Sequence, residues 1–299
     1  MILNATMILK NGSTGSNVKL LQEFLNIYAD GIFGKGTTKS VKEFQNTNGL
    51  TADGIVGPAT WDCMGIASTD NSETTYTTEN GLIVNEYYLP DGEYKTGPIT
   101  SEYIFLHHTA GWHNPYKTVD HWGRDDRGAI ATEFVLGGSS IKGADDTYDG
   151  VMVQTFPKGN YGWHLGRNGS QKMHVNSTAI EVCNFGYIVN GKTYAGTRAV
   201  ESQIVTLSKP FKGYSHWHRY SDDQIESLKK WIQYIGERDN IDIRAGLPSL
   251  VKDKGADAFE WNEDAYYGKI KGLWTHTNIR TDKFDMFPQQ ELLDMLVSL

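Results

Sequence analysis

Two segments of this 299-residue chain carry side chains that could bind a hydrolytic metal ion. The apolar run Tyr103–His108 ends in two histidines, and much later in the chain His276 precedes Lys283 and Asp285. Two imidazoles and a carboxylate suit catalytic zinc, which keeps a fourth position for a water and lowers the pKa of that water to about 7. Such a water can attack an amide. Spacing alone leaves open a pair of hydrogen-bonded structural histidines.

The elements that must position these side chains differ in type. Tyr103–His108 is short, apolar and rich in β-formers, which predicts a buried strand. Because side chains alternate along a strand, Phe105 and His107 share one face, and His107 lies near the strand end. No regular period surrounds His276 or Asp285, so we expect both to be loop ligands that the fold brings to the strand.

Four segments resemble, in their order along the chain, the motifs of the zinc-dependent N-acetylmuramoyl-L-alanine amidases of the type-2 amidase family. They are residues 105–111, 162–166, 177–182 and 276–285. The resemblance covers about residues 81–299 and implies a mixed α/β fold, with a central sheet flanked by helices. It further implies Zn²⁺ as cofactor and bacterial peptidoglycan as substrate. The bond cleaved would be the amide between N-acetylmuramic acid and the first L-alanine of the stem peptide.

The resemblance also implies roles for individual residues. The first histidine of the His-His pair matches a zinc ligand, as do the first and last residues of the C-terminal motif, so the ligands would be His107, His276 and Asp285. The lysine two positions before the last ligand matches Lys283. Its ammonium would stabilise the oxyanion that develops on the attacked carbonyl.

The general base has two candidates in the sequence. The family's acidic strand motif matches Glu181, which lies between Ile180 and Val182, where an unpaired buried carboxylate would be costly. Pairing with a nearby lysine or arginine is the structural alternative. Some relatives use a tyrosine on another strand, but the matching position here is Thr132, which leaves Glu133 as the less favoured substitute for Glu181.

Other histidines lie in motifs of their own. Trp163 and His164 match a turn that lines the substrate groove in the family, so we expect them to bind substrate rather than metal. A turn histidine bonded to the backbone is the alternative for His164. His216 and His218 alternate as ligands on a strand would, but they match no family position, and we interpret them as surface or groove residues.

The N-terminal part contains an internal repeat. Residues 30–37 and 53–60 share an Asp-Gly turn, an apolar residue, a further glycine and a threonine, Thr37 or Thr60, that could cap a helix. Each repeat lies beside a segment of helical period, which predicts a small three-helix bundle. Residues 8–66 resemble the peptidoglycan-binding domain type 1. The resemblance implies wall binding, whereas the glycines by themselves could serve only the bundle's stability.

The chain therefore divides into a peptidoglycan-binding domain at 1–66, a polar, Thr-rich linker at 67–80 and a catalytic domain at 81–299. Residues 240–272 are longer than the corresponding family segment and contain no recognisable site.

Residues 220–235 predict a helix that follows a Ser/Asp cap and that Gly236 could close. Its apolar residues at helical spacing are Ile225, Leu228, Ile232 and Ile235.

Charge indicates which ligands to expect, and cysteine content indicates the redox compartment. The net charge is −8 and there is no basic stripe, so nucleic acid is not an expected ligand and wall attachment depends on the small domain. The two cysteines, Cys63 and Cys183, form no recognisable motif, which favours a reducing compartment. The start has no signal-peptide pattern and no stretch reaches the length of a membrane span. We expect a monomer made in the cytosol that reaches the wall after release, as a phage endolysin would.

Two other functions stay open at this point. A zinc peptidase that cuts within the stem peptide would use the same metal ligands. A non-catalytic peptidoglycan-recognition protein would share the fold, although the three ligand positions are all filled here by His107, His276 and Asp285.

Overall fold

The computed structural model describes residues 8–65, 74–97, 99–166 and 171–299. The predicted fold class is confirmed, since a small helical bundle precedes a mixed α/β region with a central sheet. The bundle and the α/β region touch where the ammonium of Lys10 lies 3.0 Å from Glu93 Oε1 and donates to the carbonyl of Asp125.

The bundle consists of α1 (Ser16–Phe24), α2 (Lys35–Thr47) and α3 (Pro58–Cys63). These helices are short, and a shared apolar core holds them together. Its buried members are Leu9, Val18, Leu21, Phe33, Val41, Val56, Trp61 and Met64.

A buried glutamine organises each repeat of the bundle. The Gln22 amide donates to Asp30 Oδ1 over 2.8 Å and to Thr37 Oγ1 over 3.0 Å, and its carbonyl accepts from Gly31 N over 2.8 Å. The second repeat reproduces these bonds with Gln45, Asp53, Thr60 and Gly54. The predicted helix-capping role of the threonines is wrong, because Thr37 lies inside α2, whose N-cap is Gly34. The threonine hydroxyl instead ties the helix to the glutamine.

Among the residues that the structure describes, the α/β region contains eleven strands, numbered along the chain. They are β1 (Thr74–Thr77), β2 (Ile83–Glu86), β3 (Lys95–Thr96), β4 (Tyr103–His108), β5 (Phe134–Leu136), β6 (Met152–Gln154), β7 (Asn160–Tyr161), β8 (Ser177–Val182), β9 (Ile204–Phe211), β10 (Tyr214–His218) and β11 (Gly272–Thr275).

Seven of these strands form the central sheet, in the order β1-β2-β6-β5-β8-β4-β11. The pairs from β5 through β8 and β4 to β11 are parallel, and β1 with β2 and β5 with β6 are antiparallel. All six residues of β4 are buried, as predicted. Burial on both faces is what an apolar strand in the middle of a parallel sheet requires.

Part of the segment predicted as a linker is a β-strand. Thr74–Thr77 falls within the 67–80 segment but pairs with β2 as the edge strand of the sheet. Threonine is β-branched and suits an exposed edge strand, so the polar composition that indicated a linker also fits β1. Residues 67–73 lie outside the described part of the chain.

Seven helices accompany the sheet. They are α4 (Pro115–Trp122), α5 (Gln171–Val175), α6 (Asp222–Asp239), α7 (Leu247–Lys254), α8 (Glu263–Tyr266), α9 (His276–Ile279) and α10 (Gln290–Val297). Helix α6 covers one face of the sheet with Trp231 against Phe134, whereas α4 covers the other face with Val119 near Val135.

The predicted helix at 220–235 exists and is longer than expected. Ser221 caps α6 in a capping box with Gln224, and the helix continues through Gly236 to a left-handed Asn240. Gly236 does not close the helix. A Cβ at this position would lie 2.5 Å from Ile243 Cγ2, so the glycine allows the following chain to pack closely on the helix.

The 240–272 segment forms hydrogen bonds with the helix that begins the C-terminal motif. It folds into α7, a 3₁₀ turn at Gly255–Phe259 and α8. The buried amide of Asn278 in α9 donates to the carbonyls of Ala258 and Glu260, over 2.8 and 2.9 Å. The helix that begins with His276 is therefore fixed to this segment.

Candidate metal centre and active-site groove

Strand register places the first candidate residues side by side. His107 of β4 is the direct neighbour of Glu181 on the parallel strand β8. Residues in register on neighbouring strands point to the same face of a sheet, so the imidazole and the carboxylate project together.

Three side chains predicted as metal ligands converge. Nδ1 of His107 and Nδ1 of His276 are 3.0 Å apart, and Oδ2 of Asp285 lies 3.1 Å from the first and 2.9 Å from the second. All three residues are buried or nearly so. They form the one group of three or more His, Cys, Asp or Glu residues with metal-ligand spacing within the described ranges.

The atoms that face one another suit a metal cation. Nε2 of His276 lies 3.3 Å from the carbonyl oxygen of Leu165, and because a carbonyl only accepts, this nitrogen carries a proton. Nδ1 of His276 then faces Oδ2 of Asp285 at 2.9 Å. Two imidazole nitrogens and a carboxylate oxygen are a donor set that catalytic zinc takes. Tetrahedral zinc would separate such ligand atoms by about 3.3 Å, close to the observed triangle.

The outward-facing nitrogen of His107 also has a partner inside the protein. Its Nε2 lies 3.0 Å from Nδ1 of His164, and Nε2 of His164 lies 2.8 Å from the hydroxyl of Ser177. Both ring nitrogens of His164 thus have partners inside the protein, and because the residue also lines the groove, its predicted substrate contact stays a prediction. The arrangement orients His107 so that its Nδ1 faces the other two ligands, as outer partners of metal-bound histidines do.

Burial controls the charge of these groups. Burial and then the neighbouring His276 lower the pKa of His107 to about 4. Burial, followed by His107, lowers the pKa of His164 well below its usual value. Burial alone would raise the pKa of Asp285, but His276 and His107 hold it well below its ordinary range. His107 is therefore neutral and Asp285 ionised, the protonation states that metal binding needs.

Glu181 faces the same groove with an unsatisfied oxygen. Its Oε2 is buried and has no hydrogen-bond partner in the described structure. Burial, and next the Asp285 carboxylate, raise the pKa of Glu181 well above its usual value, while the Lys283 ammonium lowers it. The alternative in which Glu181 serves a structural ion pair does not hold, because no salt bridge to it forms among the described residues. Unpaired buried carboxylates of this kind mark functional sites.

Glu133 has a different environment. Its carboxylate pairs with the Arg238 guanidinium over 2.6 and 3.0 Å and accepts from the Gln154 amide. It is buried and does not line the groove. The candidacy of Glu133 as a substitute base is therefore wrong, because Arg238 of α6 occupies its oxygens.

Lys283 and Trp163 line the groove, which has a volume of about 1260 Å³ and also contains His276, Asp285 and Glu181. The Lys283 ammonium makes no hydrogen bond or ion pair within the described structure. It is thus available to a ligand. The roles predicted for Lys283 and Trp163 stay predictions.

His218 corrects another expectation. It is buried rather than on the surface, and its Nδ1 accepts from Phe185 N over 3.1 Å. His216, on the exposed side of the β9–β10 hairpin, lies 2.9 Å from the hydroxyl of Thr206. Neither histidine belongs to the metal-ligand group.

Sequence reasoning missed one histidine that supports the centre. His174 of α5 accepts the backbone N–H of His164 over 3.2 Å, and its other nitrogen lies 3.4 Å from Gly166 O. It fixes the turn that carries His164. A lone histidine in a short polar segment gives no periodic signal, so only the fold could identify it.

The fold and the three converging side chains define a mixed α/β domain with a candidate three-ligand metal site in a groove. Residues 14–64 match the model of the peptidoglycan binding domain family, which confirms the resemblance found for the bundle.

The curated proteins that are similar to this chain match only part of it. The N-acetylmuramoyl-L-alanine amidase CwlL of Bacillus licheniformis is 35% identical over 96 residues, which are 29% of this chain and 26% of that protein. The chain thus spans about a quarter of the length of the curated amidases it matches.

Two solved structures extend the comparison. A peptidoglycan-binding protein from Clostridioides difficile is 41% identical, with 20% of this chain and 42% of that chain covered and a TM-score of 0.20. The catalytic domain of XlyA is 14% identical, with 72% of this chain and 95% of that chain covered and a TM-score of 0.39.

Among the residues that the structure describes, every helix is too short or too polar to cross a membrane. Cys63 and Cys183 are both free thiols.

Proposed function

We propose that this protein is a zinc-dependent peptidoglycan hydrolase that cleaves the amide between N-acetylmuramic acid and L-alanine. The observation that carries the proposal is the triangle of His107, His276 and Asp285 in one groove with the unpartnered carboxylate of Glu181. The match of the bundle to peptidoglycan binding domains supports the wall as substrate. The partial similarity to proteins named N-acetylmuramoyl-L-alanine amidases supports the choice of bond.

His107, His276 and Asp285 would hold the zinc, through Nδ1 of each imidazole and Oδ2 of the carboxylate. When bound, zinc supplies Lewis-acid polarisation of the substrate carbonyl and makes an attacking water more acidic. His164 and the Leu165 carbonyl keep the two imidazoles oriented from outside.

Glu181 is the general base in this proposal. It accepts a proton from the water as the water oxygen bonds to the carbonyl carbon. When the C–N bond breaks, the same carboxyl returns the proton to the leaving nitrogen of L-alanine. Its raised pKa suits this double task, because a carboxylate that is a stronger base takes the proton from the water more readily.

Lys283 would stabilise the oxygen that becomes negative as the water attacks. Its ammonium is otherwise unpaired in the described structure and lines the groove with Glu181. A preorganised cation at a developing oxyanion is worth about 10²- to 10³-fold in rate. Trp163 would contact the substrate beside it.

Mass spectrometry of soluble products from purified peptidoglycan tests the proposed bond. Amidase action releases free stem peptides that begin with L-alanine and leaves lactyl carboxyl groups on the glycan. New amino termini within the stem would identify a peptidase instead, and no product at all would identify a recognition protein. Chelation should abolish hydrolysis and added zinc should restore it, whereas full activity without metal would contradict the zinc assignment.

Removal of the bundle tests wall targeting. Wild-type and truncated protein lacking residues 1–70 would be compared for sedimentation with insoluble wall and for cleavage of soluble muropeptide. We expect reduced sedimentation with cleavage retained, because the bundle raises the enzyme's local concentration on the wall. Equal sedimentation would assign wall binding to the catalytic domain. The melting transition of the truncated protein must be checked, because Lys10 contacts Glu93 across the two parts.

We further propose that the enzyme acts as a phage endolysin that lyses the host wall after release from the cytosol. Expression in a susceptible bacterium, with and without a membrane-permeabilising holin, tests this role. Lysis that requires the holin supports it, and lysis without the holin would indicate that the chain reaches the wall by itself.

A further inference from the structure

Three aromatic side chains remain exposed inside the groove. Trp112 is 44% exposed, Tyr194 is 62% exposed and Phe284 is 37% exposed, and all three line the groove that contains the metal centre. We call these three residues the aromatic wall. Rings of this size are usually buried, and when several are exposed along one groove they mark a ligand-binding surface.

The segment 184–194 joins the members of the aromatic wall. Phe185 contacts Trp112 with ring centroids 5.1 Å apart, and Tyr187 contacts Phe284 with centroids 5.6 Å apart. Tyr187 is itself stacked on Tyr214 of β10 at 3.9 Å. The rings are therefore backed by other rings, which keeps their exposed faces in place at little entropic cost.

Tyr194 is fixed at its tip as well. Its hydroxyl donates to the carbonyl of Ala110 over 2.8 Å, which ties the 184–194 segment to the loop that carries Trp112. The ring remains the most exposed of the three because only its hydroxyl is engaged. Its position thus serves something other than the protein's own core.

The aromatic wall borders the reacting centre. Phe284 lies in sequence between Lys283 and the metal ligand Asp285, and Trp112 follows the end of β4. A group that stacks on the wall is thus held next to the bond that Glu181 and Lys283 would act on.

Charge indicates which part of the substrate the wall fits. The stem peptide carries carboxylates, and the groove provides the ammonium of Lys117 of α4, whereas the guanidinium of Arg127 is paired with Asp125. In the wall, the Lys142 ammonium lies 5.3 Å from the Trp112 ring centroid, while Tyr194 and Phe284 offer uncharged ring faces. Pyranose rings are neutral over much of their surface and present C–H groups that pack on the negative face of an aromatic ring.

We propose that the aromatic wall binds the glycan strand of peptidoglycan, with N-acetylhexosamine rings stacked on Tyr194, Trp112 and Phe284. This inference rests on the proposed function, because it assigns one part of that substrate to one group of side chains in the groove. Lys117, another lining residue, is left for the carboxylates of the stem peptide.

Calorimetry with a peptide-free tetrasaccharide of alternating N-acetylglucosamine and N-acetylmuramic acid tests the proposal. This probe has no scissile amide, so the full-length, zinc-loaded protein can be used without turnover. We expect Trp112→Ala and Tyr194→Ala each to weaken tetrasaccharide binding about tenfold, the loss typical of one stacked ring. Binding of the free stem pentapeptide should stay within twofold of the parent.

Three control variants separate stacking from other effects. Tyr194→Phe keeps the ring and loses the bond to Ala110, so it should bind the tetrasaccharide as the parent does. Tyr28→Ala and Tyr267→Ala remove rings that are 86% and 64% exposed and lie outside the groove, on the bundle and in the 240–272 segment. Neither variant should change the affinity for the tetrasaccharide. Zinc content and melting temperature confirm that each variant is folded.

Several results would overturn the inference. Unchanged tetrasaccharide affinity in both alanine variants would remove the wall from the binding site. A selective loss of pentapeptide binding would assign the wall to the peptide. An equal loss in Tyr194→Phe and Tyr194→Ala would show that the hydrogen bond matters and the ring does not. Because the tetrasaccharide cannot be cleaved, these results are independent of which bond the enzyme hydrolyses.

Discussion

The backbone N–H of Met286 donates to Nδ1 of His108 over 3.1 Å, so the second histidine of the His-His pair holds the residue that follows Asp285, a candidate metal ligand. The hydroxyl of Tyr220 lies 3.0 Å from the same nitrogen. Since Nδ1 accepts a backbone proton, the neutral ring carries its own proton on Nε2. Burial keeps it neutral by lowering the pKa of His108 to about 4. Met286 has a left-handed φ of 61°, which this bond helps to maintain.

His108→Ala is expected to weaken zinc binding while all three ligands remain. Loss of the bond to Met286 lets Asp285 move, and loss of an orienting partner typically costs about 10- to 100-fold in metal affinity. Competition with a chelator of known affinity measures the effect. His216→Ala, on the exposed hairpin, is the matched control and should bind zinc as the parent does. Unchanged affinity in His108→Ala would mean that Asp285 is positioned without this bond.

Glu181→Gln and Glu133→Gln should separate catalysis from stability. Glu181→Gln should keep zinc and lower kcat by at least about a hundredfold, because a general base contributes about 10²- to 10⁴-fold. Glu133→Gln removes the main partner of buried Arg238 and should destabilise the fold by about 3 kcal/mol, with kcat of the folded enzyme nearly unchanged. Steady-state kinetics and denaturant unfolding of both variants check this. A zinc-replete but inactive Glu133→Gln, beside an active Glu181→Gln, would reverse the assignment.

Local patterns predicted the elements better than the contacts between them. The apolar run of β4 and the Ser221 cap of α6 could be recognised because periodicity and capping are local properties. The partner of Glu133 could not, since Arg238 lies 105 residues away and is brought to it only by the packing of α6 on the sheet.

Contacts between distant segments could not be predicted for the candidate site either. The resemblance to the amidase motifs predicted the three candidate ligands. It could not reveal that both nitrogens of His164 are engaged, by His107 and Ser177, because this depends on how three separate segments meet. Strand β1 was missed for another reason, because an edge strand needs no apolar alternation and its threonines resemble a linker.

Asn278→Ala should weaken zinc binding through the 240–272 segment. Its amide donates to Ala258 and Glu260, and its carbonyl accepts from Thr275 N over 3.0 Å. With the side chain gone, buried carbonyls lose their donors, which costs about 1 to 3 kcal/mol for each group. We expect a lower melting temperature together with weaker zinc affinity, because α9 begins at His276.

Asn262→Ala is the matched control for Asn278→Ala. The Asn262 side chain caps α8, so its loss should cost about 1 kcal/mol and leave zinc affinity intact. Equal zinc affinity in Asn278→Ala and the parent would show that the segment stabilises the fold without positioning His276.

Glu181→Gln should also stabilise the zinc-free protein, with a definite pH dependence. The raised pKa of Glu181 means that the folded state holds this proton to higher pH than the unfolded state does. Stability contributed by this group therefore falls as pH rises above the unfolded pKa of about 4.3, and the full penalty is present above the folded pKa. Glutamine has no charge to desolvate, so the variant escapes the penalty.

Thermal melts of zinc-free parent and Glu181→Gln across a pH series measure this difference directly, because every other titrating group is common to both proteins. The two melting temperatures should coincide near pH 4 and diverge toward neutral pH, where the variant should be higher by about 3 °C, as expected for relief of one unsatisfied buried group. Glu102→Gln is the control, since this carboxylate is ion-paired with Lys271 and its pKa is lowered by that bond. Its variant should be no more stable than the parent at neutral pH. A parent that is as stable as Glu181→Gln at every pH would mean that the Glu181 carboxylate is already compensated, and the argument for a base held at an energetic cost would fail.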